Sequence, residues 1–168
     1  VSVLPPLAGM EYLGGLNLRG TAVSDLSPLA DMKKLARLNL YGTKVYDLTP
    51  LAGMENLLDL DLRETKVSDL SPLAGLKNLK MLKLNQTEVS DLSPLADMKS
   101  LLYLYLDQTK VSEEQIEQAF QKQGLKVYTS PENFEADLKN LGFNNSILLM
   151  MSSGNYGGLD MGSLKELI

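Results

Sequence analysis

The sequence contains neither cysteine nor histidine among its 168 residues. Without cysteine, the chain cannot form disulfide bonds or use a thiolate as a nucleophile, and without either residue it lacks the usual ligands of a zinc ion. The absence of histidine also removes the imidazole general base that many hydrolases use. We therefore predict a protein that is not an enzyme and has no catalytic residue, metal ion or cofactor.

Long apolar runs and clusters of basic residues are missing as well. The longest apolar run, Ile147–Met151, is far shorter than the roughly 20 residues that a membrane-spanning helix needs, so no membrane insertion is expected. The net charge is −5, and the 16 lysine and arginine residues are scattered along the chain. Because such a surface is poorly suited to neutralising phosphates, nucleic acid is not expected as a partner.

A leucine recurs every 22 residues in the first two thirds of the chain, at Leu13, Leu35, Leu57, Leu79 and Leu101. Each unit reads Leu-x-x-Leu-x-Leu-x-x-Thr-x-Val, and complete units continue with Asp-Leu-Ser/Thr-Pro-Leu-Ala. Self-similarity at a fixed period of this length indicates stacked structural units. Within a unit, Leu38 and Leu40 alternate with polar neighbours, which predicts a half-buried strand whose leucines point inward. Stacking then joins these strands in a parallel sheet.

Polar residues after each strand predict how a unit turns back. The threonine hydroxyl is expected to hydrogen-bond backbone that would otherwise be unpaired inside the stack. Farther on, a serine or threonine precedes a proline, as in Ser27-Pro28. This pair predicts a helix N-cap followed by proline at the first helical position, and hence a short helical or 3₁₀ turn on the convex side. Leu29 and Met32, with their counterparts, should complete the core from that side.

The repeated pattern resembles the 22-residue leucine-rich repeats of bacterial internalins, with threonine in place of the usual asparagine. The resemblance covers residues 1–111, which would hold a partial first repeat and five strand rows. It implies an α/β leucine-rich-repeat solenoid with a curved parallel sheet and short turns on its convex side. Solenoids of this kind use their concave surface for recognition.

The residues predicted to point outward from the strands differ from unit to unit, whereas the leucine framework hardly changes. We call the surface that they form the concave face. Its first column contains Gly15, Arg37, Asp59, Met81 and Tyr103; the second contains Asn17, Asn39, Asp61, Lys83 and Tyr105; the third contains Arg19, Tyr41, Arg63, Asn85 and Asp107.

Five strands about 4.8 Å apart would give a concave face roughly 19 Å across, enough for a peptide or the edge of a folded partner. Tyrosine and arginine contribute most to binding when they become desolvated, so Tyr103, Tyr105 and Tyr41 are the first candidates for contact with a partner. The full predicted site is Arg19, Arg37, Tyr41, Asp59, Asp61, Arg63, Met81, Lys83, Tyr103 and Tyr105. The alternative is that these residues form only a solvated sheet face, with mixed charges that maintain solubility.

The two ends of the chain depart from the repeat. Residues 1–12 match the second half of a unit, so we expect either that earlier sequence is missing or that another chain covers this end. After Val111, residues Ser112–Gln115 form a capping box that predicts a helix with Ile116 and Phe120 on one face. The sequence further predicts strands at Leu125–Thr129 and Ser146–Ser152, a helix after Ser130 and a last helix near Met161–Ile168. We expect residues 112–168 to form an α/β C-terminal cap over the last edge of the sheet.

This tail resembles the end of the C-terminal domain of murein peptide ligases, most clearly at Leu148–Asp160. The resemblance implies ATP-dependent amide ligation, yet the chain contains no phosphate-binding Gly-x-x-x-x-Gly-Lys-Ser/Thr loop. The leading hypothesis is therefore a non-enzymatic module that binds a protein or peptide. The alternatives are a fragment or regulatory appendage of a peptidoglycan-recycling ligase, and a purely structural segment of a cell-surface protein. The ligase-like tail slightly favours a cytoplasmic location, and the internalin-like repeats are compatible with an extracellular one.

Overall fold

The structure, a computed structural model, describes Met10, residues 12–120 and Leu148–Met150. In these residues, strands of three residues each form one sheet in which every neighbouring pair is parallel, in the order of the chain. The strands are β1 (Gly15–Asn17), β2 (Arg37–Asn39), β3 (Asp59–Asp61), β4 (Met81–Lys83), β5 (Tyr103–Tyr105) and β6 (Leu148–Met150). Equivalent residues of successive repeats stand side by side, with Leu38 paired with Leu60 and Leu60 with Leu82. The 22-residue period thus sets the strand register.

The leucine framework forms one continuous hydrophobic core behind the sheet. The central leucines of β2 to β5 are almost completely buried. In each complete unit, the leucine two residues after the central one and the valine that follows the threonine are buried as well, as Leu40 and Val45 are. This follows from the alternation along a strand, since every second side chain points to the same side. The prediction of half-buried strands, in which leucines point inward and variable residues point outward, is confirmed.

Short 3₁₀ turns close the repeats on the side opposite the sheet, at Ser27–Leu29, Thr49–Leu51, Ser71–Leu73 and Ser93–Leu95. Each turn buries its leucine, and Met32 with its counterparts in later repeats is also buried. The predicted 3₁₀ turns and their contribution to the core are confirmed.

The capping of these turns differs from the expectation that serine or threonine acts as the N-cap. No side chain caps the turn from the N-cap position, which is occupied by a leucine. Instead, the aspartate two residues before the serine accepts a hydrogen bond from the backbone N–H of the serine, as Asp25 does from Ser27 at 2.8 Å. Asp47, Asp69 and Asp91 repeat this contact at the same distance. Because the aspartate side chain accepts from the backbone N–H two residues later, this contact is an Asx turn.

The threonine after each strand behaves as predicted. In every row the hydroxyl donates to the carbonyl oxygen three residues earlier, for example from Thr65 Oγ1 to Leu62 O at 2.6 Å. The corresponding bonds of Thr21, Thr43, Thr87 and Thr109 are 2.6 to 2.8 Å long. Since Thr43, Thr65 and Thr87 are buried, these bonds provide a partner for carbonyl groups that water does not reach.

One α-helix follows the last repeat, α1 (Glu113–Phe120). Its predicted capping box is confirmed, because the Ser112 N–H donates to Gln115 Oε1 at 2.8 Å and the Gln115 N–H donates to Ser112 Oγ at 3.3 Å. Gln115 Nε2 also donates to the carbonyl oxygen of Ser90 at 2.8 Å, which ties α1 to the preceding repeat. Ile116 and Phe120 are fully buried against the repeat core.

The strand β6 lies within the strand predicted at Ser146–Ser152 and pairs in parallel with β5, with Leu149 beside Leu104. Tail residues therefore continue the sheet beyond the last repeat. The strand predicted at Leu125–Thr129 and the two helices predicted later in the tail lie outside the described residues. So do residues 1–9 and 11 of the partial repeat predicted at residues 1–12. Within the described residues, no helix has the length and apolar character needed to cross a membrane.

Candidate partner-binding surface

The strand register brings the sequence-predicted site residues together on one surface. Hydrogen-bonded pairing places Arg37, Asp59, Met81 and Tyr103 in adjacent positions of one column, and Asp61, Lys83 and Tyr105 in the next. The intervening leucines point to the core. Arg19 and Arg37 are exposed, Asp61 is buried, and the other seven predicted residues are half-buried among their neighbours. All ten predicted residues thus belong to the concave face, although they differ in accessibility.

Tyr41 is the centre of a cationic and aromatic cluster in the third column. The guanidinium carbon of Arg19 lies 4.6 Å from the centroid of the Tyr41 ring, and that of Arg63 lies 5.0 Å from it. These distances are within the range of a cation–π interaction. The Tyr41 hydroxyl donates to Glu64 Oε1 at 2.7 Å. This hydrogen bond is the main reason why the pKa of Tyr41 is raised, and it fixes the ring between the repeats on either side.

Asp61 differs from the exposed contact residue that the sequence suggested. Its exposed fraction is only 4%, because its carboxylate is engaged by Arg63, with Nε to Oδ1 at 2.9 Å and Nη2 to Oδ2 at 2.6 Å. A bidentate pair of this kind is among the stronger polar contacts available to a protein. The hydrogen bond to Asp61 is also the main cause of the raised pKa of Arg63. Asp61 therefore positions Arg63 on the concave face.

A polar side chain at the end of each of the first three strands accepts a hydrogen bond from the backbone two residues later. Asn17 Oδ1 accepts from the Arg19 N–H at 3.1 Å, and Asn39 Oδ1 accepts from the Tyr41 N–H at 3.0 Å. Asp61 Oδ1 makes the equivalent contact with the Arg63 N–H at 3.2 Å. These bonds fix the side chains of the second column and leave both asparagine amide nitrogens directed away from the backbone that they cap.

The half of the concave face that β4 and β5 form carries larger side chains. Tyr103 and Tyr105 stand on β5 between β4 and β6, and both are half-buried. The Lys83 ammonium nitrogen lies 6.0 Å from the centroid of the Tyr105 ring, at the outer limit of a cation–π contact. Met81 lies beside Tyr103 in the first column. This half offers apolar and aromatic area, whereas the other half offers guanidinium and amide groups.

An open depression of about 320 Å³ lies on the concave face across β1 to β4. Its lining consists of Gly15, Leu16, Asn17, Arg37, Leu38, Asn39, Asp59, Asp61 and Lys83. Gly15 has no side chain to fill the space over β1, and the Arg37 side chain reaches into it, with Nε 3.9 Å from the place that a Cβ of Gly15 would occupy. Among the described residues, no three carboxylates converge in a way that could hold a metal ion.

Sequence reasoning did not select Gly15, Asn17 or Asn39 as site residues. Their signal was present in the columns, because Gly15 is the one member of the first column without a side chain and the second column begins with two asparagines. These three residues were not predicted because arginine and tyrosine were taken as the main contact residues, and a glycine signals an open space only once its neighbours are located.

Known proteins share the repeat sequence and the fold described above. Residues 55–97 match the family model for leucine-rich repeats, in two copies. The fold is similar to the crystal structure of internalin C2 from Listeria monocytogenes, with a TM-score of 0.67 and 26% sequence identity. The chain contains internalin-like leucine-rich repeats. The match covers 87% of this chain and 54% of internalin C2, so the chain spans about half the length of that internalin.

Two other solved structures share these internalin-like repeats or their fold. Internalin F from Listeria monocytogenes has a TM-score of 0.65 and 30% identity, over 67% of this chain and 33% of internalin F. A plant peptide hormone receptor, RGFR1 in complex with RGF2, has a TM-score of 0.56 and 22% identity, over 66% of this chain and 19% of the receptor. The likeness to the receptor concerns the fold alone. Among curated proteins, no sequence matches this chain.

Proposed function

We propose that the chain is a non-enzymatic interaction module that binds a protein or peptide through the concave face of its repeats. The observation that carries this proposal is the difference between the inward and the outward positions of the strands. Inward positions are leucine from β1 to β5 and are buried in the core from β2 to β5, whereas outward positions vary and bear arginine, tyrosine, asparagine and aspartate side chains. A stacked scaffold with an independent outer surface is the arrangement that solenoids use for recognition.

The composition of the concave face supports a partner of macromolecular size. Tyr41, Tyr103 and Tyr105 are half-buried, so each presents a rigid aromatic surface of which part is already desolvated. Such residues, together with arginine, are enriched among those that contribute most to binding energy. The cluster of Arg19, Tyr41 and Arg63 is held in place by ring contacts and by the Asp61 carboxylate. A side chain that is already ordered loses less entropy when a partner binds.

The alternative of a fragment or appendage of a murein ligase gains no support from the described residues. Of the residues that carry that resemblance, only Ser112–Phe120 and Leu148–Met150 are described, and both segments act there as helix and strand elements at the end of the repeat stack. The resemblance to ligases stays a prediction.

The proposal can be tested by selecting binding peptides for the intact chain from a phage-displayed library of random 12-residue sequences. A synthetic copy of an enriched peptide should bind the wild-type chain and lose affinity for the double variant Tyr103→Ala and Tyr105→Ala. The expected loss is about thirtyfold or more, which corresponds to at least about 2 kcal/mol for aromatic hot-spot residues. Affinity is measured by isothermal titration calorimetry.

Tyr46→Ala is the matched control, because Tyr46 is 65% exposed and lies outside the concave face. Its removal should leave peptide affinity unchanged. The thermal unfolding midpoint of each variant shows whether the fold is retained. The proposal fails if no peptide binds above background, or if bound peptides keep their affinity for the Tyr103 and Tyr105 double variant.

A further inference from the structure

We infer that the depression on β1 to β4 recognises an acidic side chain, so that the partner of the concave face is a peptide segment with aspartate or glutamate at the position that enters the depression. This inference rests on the proposed function and names the chemistry of its ligand. It is carried by the hydrogen-bonding state of Arg37, Asn17 and Asn39.

Arg37 brings a positive charge into the depression without a partner of its own. Its side chain is exposed and lies over the bare backbone of Gly15. Among the described residues, Arg37 has no ion pair, in contrast to Arg63, whose guanidinium is engaged by Asp61. A guanidinium has donors in a planar fork that matches the two oxygens of a carboxylate. Arg37 is thus a donor group without an acceptor inside a space that is open to a ligand.

The two asparagines add neutral donors on the floor of the same depression. Their Oδ1 atoms already accept from the backbone N–H groups of Arg19 and Tyr41. Since the acceptor atom of each amide is used in this way, its NH₂ group remains as the group available to a ligand. Neither NH₂ group has an acceptor among the described residues. A carboxylate that pairs with Arg37 would find these amide donors beside it.

The choice of asparagine is not required by the capping contact itself. Asp61 makes the same contact with the backbone of Arg63 at the end of β3, so aspartate serves this position equally well. Aspartate at positions 17 and 39 would place negative charge in the depression and remove its donors, which would repel an anion. Asparagine at both positions keeps the capping bond and keeps the floor attractive to a carboxylate.

The surrounding charges favour a carboxylate over a phosphate. Asp59 lies beside Arg37 in the strand register and is half-buried, whereas the charge of Asp61 is balanced by Arg63. With Asp61 balanced, the charged side chains that remain in the lining are Arg37, Lys83 and Asp59, which together carry one net positive charge. A carboxylate would neutralise this charge, whereas a dianionic phosphate would leave one negative charge without a partner, so a single negative charge is the better match.

The test uses peptides selected on the wild-type chain and then synthesised with acetylated N-termini and amidated C-termini, so that only side chains carry carboxylates. The enriched peptides should share an aspartate or glutamate. Replacement of that residue by asparagine or glutamine should weaken binding by about ten- to a hundredfold, the range for a hydrogen bond to a charged group. Arg37→Gln in the protein should have the same effect, and the neutral peptide should bind Arg37→Gln and wild-type chains equally.

A steric variant gives an independent reading that does not alter any charge. Gly15→Leu should fill the depression and weaken binding, because a Cβ at Gly15 contacts nothing closer than Arg37 atoms at 3.9 Å and the fold can accept it. Gly14→Leu is the matched control, since an added Cβ there has no neighbour within 4 Å and lies one residue away from the depression. It should leave affinity unchanged.

The outcomes separate this inference from the proposed function. If peptides bind and depend on Tyr103 and Tyr105, but neither the acidic residue nor Arg37 affects affinity, the inference is wrong and the interaction module stands. If no peptide binds above background, both are wrong. If phosphoserine in place of the acidic residue raises affinity for the wild-type chain, the depression prefers a phosphate and the assignment to a carboxylate is overturned.

Discussion

A threonine follows the strand in each repeat and donates its hydroxyl hydrogen to the carbonyl oxygen three residues earlier. At Thr43, Thr65 and Thr87 this contact is buried and 2.6 or 2.7 Å long. The residue combines a methyl group that fits the core with a hydroxyl that pairs with the backbone. A residue that provides only one of these two would either leave a gap or remove a donor from the buried carbonyl group.

Replacement of Thr65 by valine should therefore lower the free energy of unfolding, although valine has nearly the same shape. The expected loss is about 1 to 3 kcal/mol, because the buried carbonyl of Leu62 loses the hydroxyl that donates to it. Urea denaturation followed by circular dichroism measures the change. Thr21→Val is the comparison within the chain, and it should cost less because Thr21 is only half-buried. Equal stability of Thr65→Val and wild type would show that the hydroxyl contributes nothing.

At the scale of the element, an aspartate orders the start of each 3₁₀ turn. The pKa values of Asp25, Asp47 and Asp69 are lowered, first by the hydroxyl of the serine or threonine two residues later and next by its backbone N–H. These carboxylates are ionised more readily in the folded chain than in the unfolded chain. They therefore stabilise the fold above the unfolded-state pKa, and this contribution is lost as the pH falls through the folded-state pKa.

Stability should accordingly decrease as the pH falls below about 4, the ordinary pKa of an aspartate. In the triple variant Asp25→Asn, Asp47→Asn and Asp69→Asn, the amide oxygens can still accept the backbone N–H but no longer titrate. This variant should show a smaller decrease in stability between about pH 4 and pH 2 than the wild-type chain, as measured by urea denaturation at each pH. Parallel pH profiles of the two proteins would contradict the role assigned to these aspartates.

One face of helix α1 packs against the hydrophobic core at the last repeat. Phe120 is fully buried there, and Ile116 lies one helical turn before it. Phe120→Ala should lower the free energy of unfolding by about 3 to 5 kcal/mol, the usual cost of removing a buried phenylalanine ring. Gln118→Ala provides the control, because Gln118 is an exposed residue of the same helix. A loss below about 1 kcal/mol for Phe120→Ala would show that α1 is not part of the cooperative core.

At the scale of the whole molecule, the period of the sequence determined most of what could be predicted. Leucines at fixed steps and alternation along the strand led to the parallel sheet, its register and its core, because these depend on burial and on backbone geometry alone. The capping of the 3₁₀ turns was predicted wrongly, since both Ser27 and Asp25 are suitable capping residues and only their distances decide between them.

The details of the concave face could be predicted only in part. Membership of the surface followed from alternation, but the burial of Asp61 and the position of Tyr41 near Arg19 and Arg63 depend on side-chain conformations that span neighbouring repeats. The depression over Gly15 likewise depends on where the Arg37 side chain lies. Such contacts join residues of different repeats, and the pattern of a single repeat does not specify them.

The measurement that tests the central claim most directly is a titration of the ¹⁵N-labelled chain with a selected peptide, followed by amide chemical shifts. We predict that the shifts change for residues on β1 to β5 and just after them, such as Arg19, Arg37 and Tyr105, while the turns Ser27–Leu29 and Ser71–Leu73 on the convex side stay unchanged. Shift changes confined to those turns would contradict the claim that the concave face is the binding surface.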